Sequence, residues 1–167
     1  MQPRITVLGI GNVLLSDEGF GVRVMEELQR SGDFGEDVQF LDGGTLGMEL
    51  LMFLMDTRCL LILDAVRGEG EKGELYCFRG EEVECHFQEK LSAHELGIQD
   101  VLTLLKLTGR EIGQVTVIGA EPERLEAGLD LSEGMKKMVP QAVAEARSEL
   151  AKWLGALPPL TDFEREM

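Results

Sequence analysis

Three residues that lie far apart along the chain have side chains able to bind one metal ion together: Glu18, Asp64 and His94. Two carboxylates and one imidazole make an oxygen–oxygen–nitrogen ligand set, which suits a borderline metal such as zinc or nickel. Three protein ligands leave coordination positions open for a water molecule or a substrate. Each residue also has an ordinary structural explanation, so the ligand set is a hypothesis at this point.

Glu18 follows a glycine-rich segment that is similar to a dinucleotide-binding loop but departs from it. Gly9 and Gly11 match the first two glycines of that motif, whereas Leu14 stands where the third is needed for close helix packing. The lysine of a phosphate-binding loop is missing too, so a flavodoxin-like nucleotide or flavin binder is a weak alternative. The segment instead brings Asp17 and Glu18 to the start of a predicted helix, where the helix dipole favours negative charge. Capping of that helix is the structural explanation, and for Asp17 it is preferred over a chemical role.

Asp64 and His94 each sit beside a recognisable pattern. Asp64 follows the apolar run 60–63, which is typical of a strand covered on both faces. A carboxylate there needs a partner or a metal, or its pKa rises, although a turn or cap role is the alternative. Ser92 and Glu95 fit a capping box that would place His94 in the first turn of the following helix. The helix dipole would then favour a neutral imidazole, which is the form that binds metals.

A third polar segment, Asp42-Gly43-Gly44-Thr45, follows another predicted strand. We treat it as a candidate substrate-binding segment, and Asp42 and Asp17 as the candidate catalytic carboxylates. An ordinary Asp-Gly turn explains the segment equally well. With only two histidines in the chain, a Ser-His-Asp or Cys-His arrangement is hard to build, which disfavours a serine or cysteine nucleophile.

The charge of the chain limits the partners that it can have. Lys plus Arg number 16 and Asp plus Glu 31, giving a net charge of −15. Such a protein is poorly suited to nucleic-acid phosphates or to an anionic membrane surface, whereas a cationic segment or a metal ion suits its field. No apolar run approaches the ~20 residues needed to span a bilayer, and we expect no signal peptide. The three cysteines lack CxxC spacing and fit a reducing compartment, so we expect a cytoplasmic protein.

Apolar strand-like segments alternate with helical patterns along most of the chain. This alternation predicts an α/β fold: a single three-layer domain with a twisted, mostly parallel sheet flanked by helices on both faces. We expect the domain to cover residues 1–156, with a flexible tail at 157–167. Segment 74–78 is predicted as a hairpin or edge strand, the segment around His86 as an exposed strand or loop, and Pro140 should kink or divide the last helix. In such sheets ligands bind beyond the carboxyl ends of the strands, where the strand order reverses.

Several segments together resemble the hydrogenase maturation proteases, the endopeptidases that finish the large subunits of nickel–iron hydrogenases. They occur in the order that this family shows and cover most of the chain. The segments are Gly9-Ile-Gly-Asn12 with Asp17-Glu-Gly19, Asp42-Gly-Gly-Thr45, Leu63-Asp-Ala65, Ser92-Ala-His94 with Gly97-Ile-Gln-Asp100, and Ile118-Gly-Ala-Glu-Pro-Glu123.

The resemblance implies a function for the three candidate ligands. Glu18, Asp64 and His94 match the metal ligands of the family. The substrate would be the precursor of a hydrogenase large subunit with nickel already inserted, from which a short C-terminal peptide is removed. The nickel would thus be carried by the substrate, and zinc or cadmium would be able to replace it in a crystal. The alternative with the same ligands is a protein that carries or senses metal without cleaving a peptide.

Overall fold

The computed structural model describes residues 2–44, 47–67, 70–89, 97–159 and 161–166. These residues form one sheet with helices on both sides. The strands are β1 (Ile5–Gly9), β2 (Val38–Asp42), β3 (Cys59–Ala65), β4 (Leu75–Arg79) and β5 (Gln114–Ala120). The α-helices are α1 (Phe20–Ser31), α2 (Leu50–Leu54), α3 (Glu81–Glu89), α4 (Ile98–Leu107), α5 (Glu133–Ala156) and α6 (Asp162–Glu166). A 3-10 turn, Ser16–Gly19, leads into α1.

The sheet is mostly parallel, as the sequence predicts. Its strand order is β2-β1-β3-β5-β4, and β4 is the antiparallel strand at one edge. The predicted edge strand at 74–78 is therefore confirmed. The chain runs from β1 to β2 on one side and then crosses back to β3 on the other, so the strand order reverses between β1 and β3. Every residue of β1 and β3 is buried, which is why these strands are mostly apolar, with Thr6 and Asp64 as their polar residues.

Two apolar clusters, one on each face of the sheet, hold the three layers together. Leu61 and Leu63 of β3 point into the cluster formed with α1 and α5, whereas Leu60 and Ile62 point into the cluster formed with α2, α3 and α4. This alternation follows from the two-residue period of a strand. The predicted three-layer α/β domain is thus confirmed. Among the described residues, no helix combines the length and the apolar character that crossing a bilayer requires.

Helix α5 runs without a break through Pro140, so this proline does not divide the helix, and the kink that was the other predicted effect stays a prediction. Proline removes one backbone N–H donor from the helix. Pro140 is exposed, while Met135 and Met138 before it and Ala142 and Val143 after it are buried in the core. Packing of this apolar face on both sides of the proline outweighs the loss of one hydrogen bond.

The beginning of the chain contacts the segment that was predicted to be a tail. Arg4 donates a hydrogen bond to the carbonyl of Pro158 at 2.6 Å and forms an ion pair with Asp37. The short helix α6 lies further along the same segment. The mobility of residues 157–167 stays a prediction.

A buried carboxylate links α5 to the edge of the sheet. Glu149 is 4% exposed and accepts hydrogen bonds from Arg79 at 2.8 Å, from Thr116 at 2.9 Å and from Lys152 at 3.3 Å. The Arg79 guanidinium is the main reason that the pKa of Glu149 falls from 4.5 to about 2, and Thr116 and Lys152 lower it further. Burial acts in the opposite direction but is outweighed.

This network predicts a specific dependence of stability on pH. Because the pKa of Glu149 is lower in the folded protein than in the unfolded chain, its stabilising effect is complete above about pH 4.5 and is lost as the pH falls towards 2. The shift corresponds to about 3 kcal/mol of unfolding free energy. We expect Glu149→Gln to lower stability at pH 7 and to remove this part of the acid dependence in chemical denaturation series.

Glu133→Gln is the matched control, because Glu133 lies on the same helix with a side chain that is 85% exposed. We expect this variant to keep the acid dependence of the unmodified protein. An equal loss of stability on acidification in Glu149→Gln and in the unmodified protein would contradict the assignment.

Candidate functional site

Several polar residues lie beyond the carboxyl ends of the parallel strands. In the sheet register Gly9 at the end of β1 is paired with Asp42 of β2 on one side and with Leu63 of β3 on the other. Asp64 is the next residue of β3 and is 7% exposed. Glu18 is half-buried in the 3-10 turn after β1, and this turn contacts β3. Asp64 is therefore carried by β3, and Glu18 by the turn that follows β1 and contacts β3; the strand order reverses between these two strands.

Close glycine contacts hold the segment with Glu18 against β3. Gly11 has φ +128°, and a Cβ atom at this position would overlap the carbonyl oxygen of Glu18. Gly21 of α1 lies so close to β3 that a Cβ atom would overlap the carbonyl oxygen of Leu63. The loop can thus fold tightly around Glu18, and α1 can approach the strand that carries Asp64, only because Gly11 and Gly21 have no side chain.

Asp17 is fully buried, and its carboxylate binds the loop that follows β5 and the start of α5. Its Oδ2 atom accepts hydrogen bonds from the backbone N–H groups of Glu123 and Arg124, at 2.9 and 2.7 Å, and from the Ser132 hydroxyl at 2.8 Å. Its Oδ1 atom accepts from the Ser132 N–H at 2.7 Å. The predicted capping of the following helix does not occur, because α1 begins after Gly19 without a side-chain cap. We assign Asp17 a structural role.

Asp42 forms an Asp-Gly turn, which was one of the two roles that the sequence allowed for this segment. The Oδ1 atom of Asp42 accepts a hydrogen bond from the N–H of Gly44 at 2.9 Å, and the N–H of Gly43 donates to the carbonyl of Gly9 at 2.7 Å. The carboxylate is exposed at the end of β2. Thr45, the last residue of the candidate substrate-binding segment, lies outside the described residues.

His94 lies outside the described residues, together with Ser92 and Glu95. The capping box predicted for Ser92 and Glu95, and the helical position that it implies for His94, therefore stay a prediction. Helix α4 as described begins at Ile98, and its capping residue is Gly97, whose N–H donates to the carboxylate of Asp100 at 3.0 Å.

A further carboxylate at this edge was not singled out from the sequence. Glu121 directly follows β5, the neighbour of β3, and its Oε2 atom accepts a hydrogen bond from the Tyr76 hydroxyl at 3.3 Å. Burial raises the pKa of Tyr76, and the negative charges of Glu121 and Glu74 raise it further. The position of Glu121 directly after a strand was the available signal. These carboxylates make the edge negative, which favours a cation.

Within the part of the chain that the structure describes, no three histidine, cysteine, aspartate or glutamate side chains form a group able to hold a metal ion. His94 lies outside that part of the chain. In the predicted set, Glu18 and Asp64 would supply two oxygen donors and His94 a nitrogen donor, and the chemistry of that set fits nickel or zinc.

Comparisons with known proteins agree on one family. The family model HycI, described as hydrogenase maturation protease, matches residues 22–149. The hydrogenase 2 maturation protease of Escherichia coli K12 is 40% identical over 148 residues, which is 88% of this chain and 90% of that protein. The hydrogenase expression/formation protein HupD of Rhodobacter capsulatus is 40% identical over 152 residues, covering 90% of this chain and 72% of that protein. The solved structure of the hydrogenase maturating endopeptidase HybD from E. coli matches with a TM-score of 0.84 and 39% identity, over 89% of this chain and 93% of that one.

The fold is a single α/β domain with a mostly parallel five-stranded sheet, as in the solved maturation endopeptidase. The chain belongs to the hydrogenase maturation proteases and is an endopeptidase. The resemblance seen in the sequence is confirmed, and the alternative of a metal-carrying protein without protease activity is not favoured. Asp64 and His94 lie within the segment that the family model matches, and Glu18 lies just before it.

The contact between Gly11 and Glu18 leads to a stability test. We expect Gly11→Ala to destabilise the protein, because the new methyl group must displace the carbonyl of Glu18 in addition to the strain of a positive φ. The matched control is Gly109→Ala, since Gly109 also has a positive φ, +73°, but nothing lies within 4 Å of its Cβ position. Chemical denaturation should give a loss of about 1 to 2 kcal/mol for the control and a larger loss for Gly11→Ala. Equal losses would contradict the close packing of this loop.

Proposed function

We propose that the protein removes the C-terminal extension from the nickel-loaded precursor of a hydrogenase large subunit. One observation of the structure carries this proposal: the turn with Glu18 contacts β3, which carries Asp64, at the reversal of the strand order in a chain of the hydrogenase maturation protease family. Ligands of open α/β sheets bind at such a position. The nickel is part of the substrate in this proposal and arrives with the precursor.

The two carboxylates and the imidazole of His94 would bind this nickel together. Oxygen and imidazole nitrogen donors suit Ni²⁺, and three ligands from the protease leave room for those of the precursor. The burial of Asp64 strengthens its attraction to a cation, because solvent screens it little. A nickel ion held there would polarise the scissile carbonyl, activate a water molecule, or both. Water then adds to the carbonyl carbon, the C–N bond breaks, and the leaving nitrogen takes up a proton.

This arrangement would let the protease check its substrate before cleavage. A precursor without nickel gives Glu18, Asp64 and His94 nothing to bind. Without a cation, the negative edge of the sheet also repels further negative charge. Only a precursor that has received its nickel would therefore be held firmly enough for hydrolysis.

Residues 42–45 are proposed to position the substrate tail, with Asp42 as the remaining candidate for a catalytic carboxylate. Asp42 is exposed next to the end of β1, at the same edge as Asp64. One of its oxygens is engaged by Gly44 in the turn. We further propose that the reaction takes place in the cytoplasm, in keeping with three free cysteine thiols: Cys59, Cys77 and Cys85.

The presence of nickel in the precursor is the variable that tests the function. We expect the purified protein to shorten a nickel-loaded precursor and to leave the nickel-free precursor intact, as read by intact mass spectrometry. Equal cleavage of both forms would exclude the metal-dependent mechanism. A bound but uncleaved nickel-loaded precursor would instead support a metal-carrying function.

Three substitutions test the proposed ligands: Glu18→Gln, Asp64→Asn and His94→Ala. We expect each to abolish processing while the protein stays folded, because the first two remove a negative charge from the nickel site and the third removes its nitrogen donor. The control is His86→Ala, which changes the other histidine of the chain and should leave processing unchanged. Normal processing by any ligand variant would remove that residue from the site.

The substitution Asp42→Asn separates the structural role of Asp42 in the turn from a catalytic role of its negative charge. An asparagine keeps an oxygen that accepts the hydrogen bond from Gly44 but lacks the negative charge. We expect the free energy of unfolding to stay unchanged and the rate of processing to fall. A normal processing rate would leave Asp42 with its role in the turn alone.

A further inference from the structure

We propose that Asp17 is a positioning residue, which sets the direction of Glu18 by anchoring the 3-10 turn to the loop 121–132 and to the start of α5. The proposal rests on the proposed metal-binding role of Glu18. Asp17 is 0% exposed and cannot touch the substrate, so any effect on the reaction has to pass through its neighbour.

The carboxylate of Asp17 joins the turn to a stretch of chain more than 100 residues further along, the loop 121–132 at the start of α5. It accepts hydrogen bonds from the backbone N–H groups of Glu123 and Arg124 and from both the N–H and the hydroxyl of Ser132. Ser132 in turn caps α5, since its hydroxyl accepts from the N–H of Met135 at 3.4 Å. One buried side chain thereby binds four donors that are close together.

Backbone bonds between the same two segments support this anchor. The N–H of Ser16 donates to the carbonyl of Gly128, and the N–H of Gly128 donates to the carbonyl of Leu14, both at 2.9 Å. The N–H of Asp17 donates to the carbonyl of Arg124 at 3.1 Å. The loop 121–132 is therefore hydrogen-bonded along the turn that carries Glu18 and holds that turn in place.

Ser16 shows that the turn is held in a conformation that it would not otherwise favour. Its φ is +51°, the one positive value recorded for a non-glycine residue in the described part of the chain. L-residues disfavour this region. The Ser16 hydroxyl donates to the carbonyl of Glu126 at 2.7 Å, which helps to stabilise the bend. The bend turns Asp17 into the interior and leaves the next residue, Glu18, at the surface of the site.

Glu18 is consequently fixed on both sides. Asp17 before it is buried by its four donors, and Gly19 after it lies so close to the backbone of Val13 that a Cβ atom would sit 2.8 Å from the Val13 Cα. The carbonyl of Glu18 itself packs on Gly11. The backbone of Glu18 thus has one position, and only its side chain can adjust to the nickel ion. Such preorganisation is what a metal ligand requires of its surroundings.

The test is the ratio of two affinities, those of the protease for the nickel-loaded and for the nickel-free precursor. A variant that only lowers the folded fraction reduces both affinities equally and leaves the ratio unchanged. Asp17→Asn replaces one acceptor oxygen by an NH₂ group. This group cannot accept a hydrogen bond from the N–H and O–H donors that surround Asp17. We expect this variant to lower the ratio by about 10- to 100-fold, while the affinity for the nickel-free precursor stays the same.

Two further variants complete the experiment. Glu149→Gln should be less stable but keep the ratio of the unmodified protein, because Glu149 lies at β4 and β5 away from this turn. Ser132→Ala removes one of the four donors to Asp17 and the cap of α5, and should lower the ratio less than Asp17→Asn does.

The possible results separate a failure of the positioning role from a failure of the proposed function. A ratio in Asp17→Asn equal to that of the unmodified protein overturns the positioning role. If Asp17→Asn does not fold, an unchanged ratio in Ser132→Ala overturns it instead. No preference for nickel in the unmodified protein overturns the proposed function itself, which separates that failure from a failure of the positioning role.

Discussion

The parallel pairing of β1 with β3 is the constraint on which the site depends. These two buried strands run side by side where the strand order reverses, so their carboxyl ends open at the same place. The segment after β1 carries Glu18, and β3 itself carries Asp64. A one-residue change in register would turn Asp64 to the opposite face of the sheet, because side chains alternate along a strand. The identity of the apolar residues in β1 and β3 therefore controls where the carboxylates lie.

Close packing around β1 and β3 fixes the positions of the loops and helices next to the site. Gly11 and Gly21 allow the loop and α1 to touch backbone atoms of Glu18 and Leu63. The buried carboxylate of Asp17 fixes the opposite side through the start of α5. The same helix is attached at its other half to β4 and β5 through Glu149. Helix α5 thus connects the loops near the site to the far edge of the sheet, and the site is supported by elements that are themselves anchored.

The sequence was sufficient for features that depend on local pattern. A continuous apolar run identified β3 as a covered strand, position at the end of a strand identified Asp64 and Asp42, and position at the start of a predicted helix identified Glu18. The partners of Asp17 were not predictable in this way, because they lie 106, 107 and 115 residues further along the chain. The position of Asp17 at the start of a predicted helix indicated a capping residue. Its role in binding the loop 121–132 depends on packing between distant parts of the chain, which the local sequence does not show.

Local competition explains the remaining errors. Residues Glu81–Glu89 form a helix, where the sequence suggested an exposed strand or loop around His86, since three glutamates in its first turn favour the helix N-terminus. Gly97 and Asp100 cap α4 with the spacing that the sequence offered at Ser92 and Glu95, which lie outside the described residues. Pro140 does not divide α5, because burial of the apolar face keeps the helix continuous, and a kink at this proline stays a prediction.

The central claim is that Glu18, Asp64 and His94 share one cation at this edge of the sheet. Anomalous diffraction at the zinc edge, from crystals grown with Zn²⁺ as a substitute for the nickel of the substrate, measures this directly. We expect one ion at about 2.0 to 2.2 Å from an oxygen of each carboxylate and from a nitrogen of the imidazole. Side chains of the three residues that point into separate regions, with zinc bound elsewhere, would contradict the claim.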